Sequence, residues 1–134
     1  MALVITNNGE LVALKAMLNN TAGQSVYLRL YENDYTPVEA SVTADFTEAT
    51  FTGYAQKTLA GSDWTFTSGA PGDATAAVQN FVSSAGSQDE YVYGYYYVQV
   101  TSGLCLAAER FTDGPYHIVN NSDTVAVTPK ITAD

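Results

Sequence analysis

The sequence predicts a mainly β domain, an antiparallel β-sandwich of jelly-roll type with one N-terminal α-helix. Three observations predict it. Residues 91–111 read YVYGYYYVQVTSGLCLAAERF, with Tyr91, Tyr93, Tyr95 and Tyr97 in one alternating register and Val92, Tyr96, Val98 and Val100 in the other. A period of two places each set on one face of an extended strand, and aromatic and β-branched side chains suit a pleated surface. Thr101-Ser102-Gly103 then separates that run from the apolar stretch Leu104–Phe111, which is the pattern of a hairpin. Elsewhere, short alternating runs recur at roughly ten-residue intervals with turn residues between them, about eight strands in all, as in an antiparallel sandwich of jelly-roll type.

Each element follows from its own residues. Residues 1–8 form an arm, with Ala2–Ile5 apolar and Asn7-Asn8-Gly9 turn-like. Leu11, Leu14 and Leu18 are spaced i, i+3, i+7, the single apolar face of a helix over 9–19. Asn8 is placed to cap it, and Asn19-Asn20 with Gly23 to stop it. Residues 25–132 then make the sandwich. Ser25–Asn33 alternates, with Val26, Leu28 and Leu30 on one face and Tyr27, Arg29 and Tyr31 on the other. Asn33–Pro37 is turn chemistry, because Pro37 has no N–H for a central ladder. Residues 38–53 form a long connection with one helical turn near Thr43-Ala44-Asp45. Tyr54–Leu59 reads as a strand, Gly61-Ser62-Asp63 as a turn, and Trp64–Thr67 as a strand whose Trp64 is a core anchor first and an exposed recognition residue second. Ser68–Asp73 is the richest loop signal. Ala74–Ser83 reads as a strand, Ser84–Glu90 as a flexible polar tip, and the hairpin follows. Thr112–Pro115 turns into the short strand Tyr116–Val119. Asn120–Asp123 turns into the last strand, Thr124–Thr132, where Pro129 marks an edge position or a bulge.

At 134 residues the chain is one domain, 1–134, long enough to bury roughly two-thirds of its unfolded surface without a metal or disulfide. Hydrophobic residues make up 46% but charged ones only 14%, against about 25% in a typical domain. The polar surface is therefore built from Thr, Ser, Asn, Gln and Tyr, which suits β structure and stable assemblies. Five basic and fourteen acidic residues give a net charge of −9. That sign repels phosphate backbones, and Lys15, Arg29, Lys57, Arg110 and Lys130 cluster nowhere, so no nucleic-acid partner is expected. The lone Cys105 makes no internal disulfide and reads as a small buried hydrophobe. The longest apolar run is far short of the ~20 residues of a membrane span, so no membrane partner is expected either. MALVITNNGE lacks the basic and apolar regions of a signal peptide, which predicts synthesis in a cytoplasm without export by that route.

The search for chemistry returns no catalytic residue, no cofactor and no metal set. His117 lies in a short strand between Tyr116 and Ile118. The carboxylates Asp89-Glu90, Asp45 with Glu48, and Glu32 with Asp34 sit in or beside turns, where solvated faces and caps are the usual roles. A glycosidase would set two of them across a groove. Asn120–Asp123 and Asp113-Gly114 lack the spaced oxygen ligands of a calcium loop, and Gly69 and Gly72 precede neither a lysine nor a helix. What remains is ten tyrosines. A tyrosine ring with one polar group suits protein interfaces and sugar-stacking platforms alike. Tyr31 and Tyr35, beside a turn, and the outward half of the Tyr91–Tyr97 ladder are the candidates, and aromatic filling of the core accounts for the others.

The opening MALVITNNGELVALKAMLNN, then LRLYENDYTP, ADFTEATFTGYAQKTL, the lone Trp64, YGYYYV, LAAERF and the closing VAVTPKIT together resemble small structural proteins of tailed-phage virions, in particular capsid decoration or cement proteins. The resemblance spans nearly the whole chain and is carried by strands and turns. It implies a β-sandwich subunit made in the host cytoplasm and placed on the outer capsid surface of the virion. Such a subunit binds the major capsid protein as a homo-oligomer, a trimer or dimer, and stabilises contacts between capsomers. The expected interface is the arm, Met1, Ala2, Leu3, Val4 and Ile5, added as a strand to a neighbouring subunit, together with Tyr31 and Tyr35. The competing expectation is a tail or fibre-associated host-recognition module that binds carbohydrate through exposed aromatics. An enzyme ranks third, and its sign would be converging carboxylates, or His117 beside one, in a deep pocket.

Overall fold

In the computed structural model, which describes residues 3–6, 8–9, 25–67 and 72–133, the chain is mainly β. Its largest unit is a five-stranded antiparallel sheet in the order β1 (Val4–Ile5), β9 (Cys105–Arg110), β8 (Gly94–Gln99), β2 (Val26–Tyr31) and β3 (Lys57–Leu59). The predicted hairpin is its centre: β8 and β9 pair from Gly94↔Arg110 to Val98↔Cys105. Gly103 closes their turn at φ 71°, a left-handed conformation that glycine adopts without steric cost, and its N–H donates to the Gln99 carbonyl (2.8 Å). Of the predicted helix over 9–19 only Gly9 is described; the rest lies outside the described residues, as do Met1, Ala2 and residues 68–71 of the predicted loop.

Both faces of this sheet are covered. Val26, Leu28 and Leu30 of β2 share one apolar cluster with Tyr95, Tyr97 and Ala107, and with Phe81, Val92, Ile118 and Val125 from the smaller sheets. On the opposite face Tyr31, Tyr96, Val98, Cys105 and Ala108 pack against Phe46, which stacks on Tyr96 (centroids 4.6 Å apart). A bulge makes this possible. Tyr97 pairs with Ala107 but Val98 with Cys105, so Leu106 is the extra residue. That one-residue slip puts Cys105 on the same face as Ala108.

Three predicted strands are broken in two, each for a structural reason. Tyr91–Val100 divides at Tyr93: β7 (Glu90–Val92) pairs with β10 (Tyr116–Ile118) in a separate two-stranded sheet, while β8 stays in the large one. Tyr93 stitches the change, its N–H donating to the Tyr31 carbonyl and its carbonyl accepting from Phe111 N–H (2.9 Å each). Ala74–Ser83 and Thr124–Thr132 divide together. β5 (Gly72–Thr75) pairs with β12 (Lys130–Ala133) and with β4 (Thr65–Thr67), whereas β6 (Gln79–Val82) pairs with β11 (Thr124–Val127). Pro129 lies at the break. Having no N–H it cannot donate to the ladder, and its carbonyl instead accepts from Ala76 N–H (3.0 Å).

The connections are tighter than predicted. The strand expected over 54–59 shortens to β3 because Tyr54 leaves the ladder, stacks on Phe81 (5.7 Å) and donates its hydroxyl to Glu48 Oε1 (2.9 Å). Thr43–Asp45 and Gly61–Asp63 are single 3-10 turns. In each, the aspartate at the third position accepts from a backbone N–H three residues back, Val42 (2.8 Å) and Ala60 (2.7 Å). Trp64 is half-buried against the main core, 6.0 Å from Tyr97. The tip 84–90, expected to be loose, is tied down: Gln88 N–H donates to the Val119 carbonyl (3.1 Å) and Gln88 Oε1 accepts from Thr52 N–H (2.6 Å). Among the described residues no helix is long and apolar enough to cross a membrane.

Candidate functional site: an acidic, tyrosine-lined groove

The break at Tyr93 creates an open groove that brings several carboxylates together. β2 ends at Tyr31 and hands Glu32 outward, while β7 begins with Glu90 as it joins β10. Residues 48–52 run between them. An open groove of about 400 Å³ results, lined by Glu32, Thr50, Asp89, Glu90, Tyr91 and Tyr93. Thr50 is the hub: its N–H donates to Glu90 Oε1 (2.9 Å) and its hydroxyl to Glu32 Oε2 (3.3 Å). Partial burial pushes the Glu90 carboxyl up to about 7, and the neighbouring Glu32 adds to the rise, while the Thr50 N–H opposes it. Burial and a like charge both disfavour ionisation of a carboxyl group, and a donor favours it. At the rim Asp89 Oδ1 meets His117 Nε2 (2.6 Å), and the His117 ring stacks on Tyr91 (4.2 Å).

The predicted interface residues do not converge here. Val4 and Ile5 form β1 and pair with Ala108 and Ala107 of their own chain, where strand addition to a neighbour was expected. Leu3 and Ile5 pack on the main core, and Thr6 locks the arm by donating to the Cys105 carbonyl and accepting from Gly9 N–H (3.2 Å). Gly9 is required at that point, since a Cβ there would lie 2.0 Å from the Leu106 carbonyl oxygen. Met1 and Ala2 lie outside the described residues.

Tyr31 is a correction. It is 0% exposed, because the 33–51 segment covers the face that the alternation left outward. Its hydroxyl donates to the Tyr35 carbonyl (3.1 Å), and burial raises its pKa. Tyr35 is half-buried, edge-on to Phe46 (5.3 Å), with its hydroxyl 2.8 Å from Ser41 Oγ. Of the 91–97 tyrosines only Tyr91, at 44% exposure, stands out to solvent.

Arg29 and Arg110 are absorbed by the fold. Arg29 lies over Tyr27 (5.2 Å), donates to Gln56 Oε1 (2.7 Å) and faces Glu48 (3.6 Å). Arg110 lies over Tyr93 (5.2 Å) and pairs with Asp34 (2.6 Å). Among the described residues no group of three or more His, Cys, Asp or Glu is arranged to hold a metal.

Reasoning from the sequence missed the Glu32–Glu90 convergence. It set Glu32 beside Asp34 and Glu90 beside Asp89, their chain neighbours, because the meeting of one strand's exit with another's start is set by strand pairing and leaves no local signal. What the groove offers chemically is two carboxylates held to one threonine, further hydrogen-bond acceptors, a hydroxyl and an exposed ring. Comparison with protein families, with characterised proteins and with solved structures finds no match to this chain.

Proposed function

We propose that the chain is a non-enzymatic structural subunit of a tailed-phage virion, a decoration or cement protein on the outer capsid surface. In this reading it folds as a jelly-roll sandwich, assembles as a dimer or trimer, and binds the major capsid protein across joints between capsomers. What carries the reading is the resemblance of the chain's ordered strand and turn motifs to that class. LRLYENDYTP runs from within β2 through its exit, YGYYYV from the break at Tyr93 into β8, LAAERF along β9 to Phe111, and VAVTPKIT across β11 and β12. Surface chemistry supports it. A charge of −9 suits the side of a shell facing away from packaged DNA. Exposed Val38, Val42, Val78, Val82 and Val100 supply apolar area for contact with a shell or with further copies. The test is to add purified protein to capsids of the same virus lacking it and sediment the mixture. Saturable co-sedimentation and a raised capsid disruption temperature are expected; free protein at every input would overturn the reading.

A second reading is favoured by the groove. Tyr91 offers an exposed ring face beside carboxylate acceptors and the Thr50 hydroxyl, the pairing of stacking and hydrogen bonding that recognises neutral sugars. In that case the chain is a tail or fibre module that binds host carbohydrate. Tyr91→Ala would abolish retention on a neutral-glycan array, and absence of retention by the unaltered protein would exclude this alternative.

A further inference from the structure

Three segments meet at the groove floor, and two carboxylates hold them to one threonine. Glu32 follows β2, Thr50 lies in the 48–52 segment and Glu90 opens β7, with Thr50 donating to both acids (2.9 Å to Glu90, 3.3 Å to Glu32). We propose that Glu32 and Glu90 are a proton-operated latch: one shared proton closes the exit of β2 onto the start of β7, and its loss drives the carboxylates apart and widens the groove. This inference stands independently of the function proposed above.

The geometry decides which arm of the latch moves. Glu90 is held by a backbone N–H at 2.9 Å and Glu32 by a hydroxyl at 3.3 Å, so repulsion between two ionised groups releases Glu32 to solvent first. The other charged and titratable groups facing the site are Asp89 and Tyr91 on the tip and β7, Tyr93 at the strand break with Arg110 over its ring, and His117 from β10, which pairs with Asp89.

The sign follows from linkage. The Glu90 carboxyl is raised from 4.5 to about 7, so between those values the folded chain holds a proton that the unfolded chain has released. The stabilisation is complete below 4.5 and is lost as pH rises through about 7.

The test follows the carboxyl carbons of the whole protein by NMR between pH 4 and 9, with the His117 ring tracked in the same samples to separate its contribution. The Glu90 step is expected near neutrality, accompanied by shifts of the Thr50 and Tyr93 amides. In Glu32→Gln, where an amide donor replaces the like charge, the step moves down by about one unit or more. A Glu90 step in the ordinary carboxylate range, or one that Glu32→Gln leaves in place, overturns the latch. Should Glu32→Gln fail to fold, Glu90→Gln serves: the Thr50 and Tyr93 amides then cease to respond between pH 6 and 8, and an unchanged response refutes the proposal.

Discussion

Gly94 marks a tight point at the centre of the large sheet. It pairs with Tyr31 on one side and Arg110 on the other, and a Cβ there would stand 2.2 Å from the Glu109 carbonyl oxygen and 2.5 Å from Tyr31 Oη. Neither neighbour has room to give, because Tyr31 is wedged against Phe46 (5.1 Å) and Tyr96 (6.3 Å). Gly94→Ala is therefore expected to cost about 3 kcal/mol by urea unfolding, the upper range for overpacking. Tyr31→Phe, which loses one hydrogen bond to the Tyr35 carbonyl, is expected to cost about 1 kcal/mol. Equal losses would contradict this account of the site. Cys105 gives a second check. Burial pushes its thiol up to about 12, and a thiol that is neither ionised nor accessible does not react. In the native protein at pH 8 a disulfide reagent should leave it untouched, whereas denaturant should release one equivalent at once.

At the scale of elements, the arm is the piece most exposed to test. β1 contributes two residues to the sheet, yet Leu3 and Ile5 reach the core and Thr6 fastens the strand. Removing residues 1–6 strips this cover and leaves β9 as an unprotected edge, the usual seed of edge-to-edge association. The truncated chain is expected to lose about 2–4 kcal/mol, comparable to truncating one or two large core side chains, and to associate with rising concentration in light scattering. A truncated protein that stays monodisperse with an unchanged unfolding midpoint would contradict that role. The elements legible in the sequence are those set by local rules. The β8–β9 hairpin is written in a period of two and a Thr-Ser-Gly turn, and the inward set Val26, Leu28 and Leu30 in simple alternation. The breaks at Tyr93 and at residues 76–78 are not written locally. They arise where a strand changes partners, and alternation looks the same on either side of such a point. Pro129 was the exception, since its missing N–H announces the interruption.

Across the whole molecule, the same distinction explains why the groove escaped notice. Glu32 and Glu90 become neighbours only because β2 pairs with β8 while the chain just before β8 turns away to β10, a consequence of topology that no spacing rule contains. The burial of Tyr31 likewise depends on where residues 33–51 lie. Composition did anticipate the balance of charge. With Arg29 and Arg110 engaged in internal pairs, the acidic excess stays outward, and the cement reading rests on that surface together with the motif order. One measurement tests this reading most directly: cryo-electron microscopy of the virion that carries this protein, with the chain traced in the map. The reading predicts density for the sandwich on the outer shell at joints between capsomers, repeated by the symmetry of its own oligomer. Density confined to the tail would contradict it and make the Tyr91 groove the leading candidate for host recognition.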